Sequence, residues 1–530
     1  MAVMQSLFET AHGREPGDLM IRNVRILDVF TERLYPGSLL MKHGRIAAVT
    51  DRPELSAKET FDGQDMVALP GFIDAHFHID STLVTPAALS AAIVPRGTTT
   101  LFAEVLDFAF EHGLDGVKKL LKRREELPYR MFLAAPGKVA PTDVAVEMLN
   151  HWEDIASLGE LAQKTAEKGE TEIFQKILLA REKNKIVSGH VIRTDAQGMD
   201  PFAVLGYDDE HNTDTYEETL DRLRFGMKKI LRYGSINNGI DPIIRGVVRD
   251  GLPTESLMFA ADDIYIHDLV RRGHVDNMIQ LSIDLGLNPI KAIKIATINA
   301  ARHFRMDHLL GSVTPGRYGD IVLVESLEKI QPCAVFHNGG LVAMNGTLTA
   351  VPDIDYSDLI QDVKPGLQQL DESVFDFGPE DRRTFLYTAG NWDKIQKEPC
   401  DIPESAKGVP INLTDDVLPY YRIGRYANGG IRKVERVLLH GFGLKKGAIA
   451  TFFTQEGQAI NVTGTNTEDM LLAVQEVDRH PGGMAVVADG KVLMSFPQPI
   501  GGMLSDRNCK EAAAALERLD AVSYTHLQSA

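Results

Sequence analysis

Polar and apolar positions alternate along residues 18–68, where "DLMIRNVRILDV" and "GSLLMKHGRIAAVT" read as short strands with a "KHG" turn. From about residue 69 to 305 the pattern changes, and short apolar runs alternate with helical stretches. "TTTLFAEVL" precedes "GLDGVKKLLKRREEL", "YRMFLAAP" precedes "TDVAVEMLNHW", and "IASLGEL" precedes "TEIFQKILLAREKN". "KIVSGHV" leads into a variable segment, "YEETLDRLRFGMKKILRYGS" stands undivided, and "ESLMFAADD" precedes "IHDLVRRG". Such alternation implies parallel strands joined by crossover helices. About eight strands can be placed, with the sixth and seventh the least sharply marked, so a TIM-like (β/α)8 barrel is favoured over an open sheet.

After the barrel, "GSVTPGRYGDIVLVESL" and "CAVFHNGGLVAMNG" return to short strands with glycine turns. The expected architecture is α/β: a composite small β domain (1–68 plus 306–350), the barrel (69–305), a connecting segment (351–404) and a C-terminal α+β domain (405–521). That last domain carries "AIATFF", "AINVTG", "GMAVVADGKVLMSF" and the helical runs "NTEDMLLAVQEVD" and "NCKEAAAALERLD". Residues 522–530 break the Ala-rich helical pattern and resemble a translated adapter, so a non-native tail and a truncated third domain are expected.

Composition narrows the function classes. The formal charge is −18, from 74 acids against 56 bases, which would repel nucleic acid and anionic membrane. Cys333, Cys400 and Cys509 form no CxxC pair, so neither a disulfide framework nor a thiolate zinc site is indicated, and a reducing cytoplasm is expected. The N-terminal stretch lacks a signal-peptide apolar core.

Against that background "LPGFIDAHFHID", Leu69–Asp80, stands out. Residues i and i+2 of a strand share a face, so His76 and His78 can hold one ion together. Taken alone, the pair could equally be two hydrogen-bonded polar residues at a barrel mouth. Other strand ends add to it: Glu160 ends the fourth strand, His190 the fifth, His211 lies near the sixth and Asp262 at the eighth, with Asp263 beside it. Barrel active sites form at these ends. Carboxylates gathered there are costly to desolvate without a cation. Nitrogen and oxygen donors without thiolate suit zinc, iron or manganese. His267 and His274 fall within or after the following helix and read as surface or packing residues.

The order HxH, Glu, His, His, Asp on a barrel is similar to the amidohydrolase superfamily. "PGFIDAHFHIDSTLVTP", "SLGEL", "ADDIYIHDLVRRGHVDNMIQLSIDLGLNPIKAIKIATINAARHF" and the C-terminal "HGFGLKKGAIA" with "VTGTNTEDMLLAV" narrow the resemblance to bacterial adenine deaminases, over about residues 18–521. The resemblance implies two divalent metal ions, with manganese or iron favoured and zinc open. His76 and His78 would bind one ion and His190 and His211 the other, with Glu160 bridging them and Asp262 completing the ligands of the first ion. Asp262 and Glu160 are the expected catalytic residues, Asp262 moving a proton from water to the departing amine. The expected reaction is hydrolytic deamination of adenine or a related aminopurine. The expected partners are a small nucleobase-like molecule and further copies of the chain, a homo-oligomer, with no nucleic acid and no membrane.

Three stretches depart from the family pattern. Asp-Pro-His-Glu after the second strand is replaced by Glu104, Val105, Leu106 and Asp107. The third-strand "VPSCVPAT" becomes "AAPGKVAPT", which introduces Lys138. "HDSHN" becomes "TQEGQA", Thr454–Ala459. Leucine cannot hydrogen-bond a ring nitrogen, so these changes point to the same chemistry on a changed substrate. Leu106, Asp107, Asp80 and Asp263 are the candidate substrate contacts. A ring-opening cyclic amide or imide hydrolase with the same metal pair is the alternative. A non-catalytic homologue would lack Asp262, and a zinc base deaminase would need a second thiol after Cys400.

Overall fold

Residues 17–70 and 321–348 build one sheet. Its strand order is Thr347–Leu348, Gly340–Met344, Pro332–His337, Ile321–Val324, Ala57–Pro70, Gly17–Asp28, Arg33–Lys42 and Arg45–Thr50. Only Gly17–Asp28 and Ala57–Pro70 run parallel, and every other pairing is antiparallel. Alternate residues of these strands, among them Ile21, Ile26, Leu39, Met41, Leu323 and Phe336, form a buried core. In the computed structural model the described residues are 1–138, 142–192, 196–360, 366–378, 383–388, 396–401, 409–425, 431–452 and 459–528.

Strand Ala57–Pro70 leads directly into the first barrel strand, Phe72–His78. The other seven follow in sequence order: Thr98–Glu104, Arg130–Ala135, Ile155–Ala162, Ile186–His190, Asp209–Glu210, Lys228–Arg232 and Leu257–Ala260. All are parallel, and the bridge between Phe77 and Asp262 joins the eighth to the first. The barrel fold expected from the strand–helix alternation is therefore observed. "YEETLDRLRFGMKKILRYGS" divides into helix Tyr216–Arg224 and strand Lys228–Arg232, because Gly226 takes φ 82° and ends the helical path between them. The barrel interior is plugged by Ile73, Ala75, Phe102, Ile230 and Met258 packed on Phe304, with Phe102 and Phe304 stacked 3.5 Å apart. An N-terminal helix, Ala2–Ala11, is an element that the alternation pattern does not announce.

The described residues divide into two compact units: 1–82, 86–106 and 123–354, and 83–85, 107–122 and 355–530. The second unit is built on an eight-stranded sheet that runs from Gln396–Asp401 at one edge to Lys491–Pro497 at the other. Helix Thr467–Arg479, capped by the Asn466 side chain, packs Met470, Ala473, Val474 and Val477 onto that sheet. Helix Cys509–Ser523 starts at an Asn508 cap of the same kind. No helix among the described residues is long and apolar enough to cross a membrane.

Candidate metal centre

Strand period alone would put His76 on the face opposite Ala75. The pairing of the first and second barrel strands shifts register between Asp74 and Phe77, and this bulge lets His76 and His78 share the barrel's inner mouth. A second shift, between Leu158 and Leu161, surrounds Glu160. Ring closure fixes the third element: the Asp262 N–H donates to the His76 carbonyl at 3.0 Å, and the His78 N–H to the Asp262 carbonyl at 3.2 Å. Asp262 and Glu160 both take positive φ, 55° and 21°, a conformation that costs energy and persists only where the surroundings impose it.

The six side chains converge in two overlapping groups, His76–His78–Glu160–Asp262 and Glu160–His190–His211. Within each group the donor atoms lie within 4.8 Å of one another. Asp262 Oδ1 is 3.4 Å from Nε2 of both His76 and His78. Glu160 Oε1 belongs to both groups: it lies 3.7 Å from His76 Nε2 and His78 Nε2, 3.0 Å from His190 Nδ1 and 3.1 Å from His211 Nε2. His190 is partly exposed and the other five are buried.

The electrostatics favour a cation here. Burial alone would drive the His76 imidazole neutral, but the Asp262 and Glu160 carboxylates pull its pKa up to about 10. Burial, with His76 nearby, pushes His211 down to about 4. Burial would raise both carboxyls, yet Asp262 is held below the usual carboxylate range by His76, His211 and Arg232, and Glu160 by Lys138 and the imidazoles. Among the described residues the buried ring nitrogens His76 Nε2 and His211 Nδ1 have no hydrogen-bond partner. Clustered nitrogen and oxygen donors with unmet lone pairs fit a divalent metal site.

The neighbours of these six are as specific as the six themselves, and sequence reasoning missed most of them. Arg232, at the end of the seventh strand, donates from Nη1 to Asp262 Oδ2 at 3.2 Å. From Nη2 it donates to Asp214 Oδ2 at 3.1 Å and to the Asn212 carbonyl at 2.9 Å. Glu104 is buried with Oε1 3.9 Å from His76 Nδ1, and burial, added to by the Glu160 charge, pushes its carboxyl up to about 7. Asp74 accepts from the His76 and Ala261 N–H groups, and His274 Nε2 stands 2.9 Å from its Oδ2. His274 is thus a fully buried packing histidine. Lys138 Nζ lies 3.3 Å from Glu160 Oε2 and 3.4 Å from His190 Nδ1. A strand-end arginine in an undivided segment gave no signal, whereas Glu104 and Lys138 stand in two of the stretches that depart from the family pattern.

The candidate substrate contacts divide differently. Asp80 is buried at the start of the turn Asp80–Thr82. Asp263 Oδ1 accepts from Ser81 Oγ at 2.5 Å, and burial raises its carboxyl pKa. Leu106 and Asp107 are buried in the first turn of helix Leu106–Leu120 and belong to neither donor group. Of Thr454–Ala459, all but Ala459 lies outside the described residues.

Comparison with known proteins agrees with this geometry. The family model of the amidohydrolase family matches residues 67–351, and that of the adenine deaminase C-terminal domain matches residues 396–529. Adenine deaminase of Desulforamulus reducens is 37% identical over 536 residues, covering 98% of this chain and 91% of that protein. The chain belongs to the adenine deaminase family. A second relative of that family, adenine deaminase of Kosmotoga olearia, is 31% identical over 97% of this chain and 90% of its own length. The fold is shared more widely: β-aspartyl dipeptidase of Fervidobacterium islandicum AW-1 superposes with a TM-score of 0.52 at 18% identity, covering 63% of this chain and 99% of that one.

Proposed function

We propose that this chain is a metal-dependent hydrolase that converts adenine, or a related aminopurine, and water into the corresponding oxopurine and ammonia. The observation that carries the reading is the position of Glu160 Oε1, within 3.0–3.7 Å of four imidazoles and shared by two donor groups. Family membership supports the substrate class, since the relatives are adenine deaminases. His76, His78, Glu160 and Asp262 would hold one divalent ion, and His190, His211 and Glu160 a second. Manganese or iron is favoured by the resemblance. Ions bound there would lower the pKa of a water so that hydroxide exists near neutral pH.

The chain's own groups do the rest. Arg232 holds Asp262 Oδ2, which leaves Oδ1 turned toward His76 and His78. Asp262 takes the proton of the attacking water as oxygen bonds the ring carbon, then passes it to the exocyclic nitrogen as that carbon–nitrogen bond breaks. Burial raises the Glu104 carboxyl to about 7, so near neutral pH it can carry a proton and donate a hydrogen bond; burial also raises the Asp263 carboxyl.

The test is ammonia release from adenine and a panel of other aminopurines, on protein reconstituted with Mn²⁺ or Fe²⁺, with Asp262→Asn as control. Ammonia from adenine that the control abolishes is the expected result. Ammonia from another ring only would move the substrate. Metal-dependent opening of a cyclic amide with no ammonia from any purine would overturn the reading.

A further inference from the structure

The two carboxylates of the donor groups, Asp262 and Glu160, each turn the other oxygen to a cationic side chain. Asp262 offers Oδ1 to His76 and His78 and Oδ2 to Arg232. Glu160 offers Oε1 to four imidazoles and Oε2 to Lys138, whose side chain is 10% exposed. The two pairs differ in consequence. Asp262 belongs to one donor group, and its Oδ2 is held by Arg232. Glu160 belongs to both, so its single charge is shared between two positions, and Lys138 competes for it.

Lys138 stands on the side of the second group. Nζ is 3.4 Å from His190 Nδ1 and 3.5 Å from Nε2, so both ring nitrogens of that donor are within its reach. An ion at ligand distance of His190 and Glu160, about 2.0–2.2 Å from each, would lie within about 5 Å of the ammonium if the lysine stayed. Like charges that close, shielded from solvent, repel strongly. The lysine must swing away before a second ion can settle, whereas Arg232 bonds Asp262, Asp214 and Asn212 rather than an imidazole of the first group.

On the two-ion reading given above, we propose that Lys138 is a built-in counter-cation on the bridging carboxylate, which makes the Glu160–His190–His211 position the weaker of the two metal positions. It acts through Glu160 as a positioning residue and leaves the His76–His78–Asp262 position unaffected. The lysine and an ion compete for the Glu160 charge beside His190.

Metal-free protein is titrated with Mn²⁺ by calorimetry, and the ions retained after gel filtration are counted by mass spectrometry. Wild type is expected to keep one ion per chain, with a second binding at least about tenfold more weakly. Lys138→Met is expected to keep two, and Lys138→Arg, which preserves the charge, to keep one. Two equally tight ions in wild type would overturn the proposal whatever the variants do, while leaving the two-ion site standing. The same count in wild type and Lys138→Met would overturn it as well. No retained or titratable ion in any of the three would sink both this proposal and the metal-site reading.

Discussion

Replacing Arg232 with methionine tests what holds the central aspartate. The change keeps much of the apolar stem and removes a guanidinium that bonds Asp262 Oδ2 at 3.2 Å, Asp214 Oδ2 at 3.1 Å and the Asn212 carbonyl at 2.9 Å. At an effective dielectric of about 20, two unit charges about 3.2 Å apart attract by about 5 kcal/mol before desolvation is counted. The Asp262 side chain is 5% exposed beside the intact arginine, so little water is at hand to replace that interaction. Removing one partner of such a pair costs about 3–5 kcal/mol, because the other charge stays buried. Thermal unfolding of metal-free Arg232→Met should therefore show the barrel transition lowered by roughly 5–15 °C. Mn²⁺ should return part of that loss, since a cation at Asp262 Oδ1 restores a charge partner. Initial rates of ammonia release should fall by at least about tenfold even at saturating Mn²⁺, because Asp262 is then free to turn. Arg232→Lys should lie between the two, keeping charge without the fork. A loss below about 1 kcal/mol, or a wild-type rate in Arg232→Met, would show that the pair neither stabilises the barrel nor orients Asp262.

Gly159→Ala would put a Cβ 2.1 Å from Glu104 Oε1 and should cost about 1–3 kcal/mol, a loss seen as a lowered melting temperature and relieved by adding Glu104→Ala. Leu106→His with Asp107→Glu should raise adenine turnover by up to about tenfold if those residues read the ring; unchanged kcat and KM would remove them from the pocket. Burial would raise the Asp320 carboxyl, but Arg130 at 2.5 Å and His337 at 3.2 Å hold it below the usual range. Its contribution to stability is then fully present above about pH 4, the unfolded value, and is lost as pH falls through the lower folded value. Asp320→Asn should lower stability at pH 7 by about 3–5 kcal/mol and flatten the acid side of a melting-temperature profile, and an unchanged profile would refute the assignment.

What the sequence made legible follows from which interactions have a short period. Strand–helix alternation is local, so the barrel could be read, and the i, i+2 spacing of His76 and His78 put two donors on one face. That inference needed help it could not see: a bulge after Asp74 turns those residues inward, and register within a barrel is a property of the paired strands. Arg232 was invisible for a related reason. Its role depends on the seventh strand ending opposite Asp262, thirty residues on, and "KKILR" carries no feature that separates a site arginine from a surface one. The segment 107–122 illustrates the limit most clearly: only its later part, within "GLDGVKKLLKRREEL", reads as helical in the sequence, and the segment clusters with residues 355–530 rather than with the strands that flank it. Amphipathic period says that a helix will bury one face, and says nothing of which core receives it. Lys138 lies between these cases. As a departure from a family motif it signalled change without direction, and only its 3.3 Å approach to Glu160 Oε2 turns it into a statement about metal affinity. Residue type fixes which chemistry a site can do, while the partner of each carboxylate oxygen is set by strands that meet only in the folded chain.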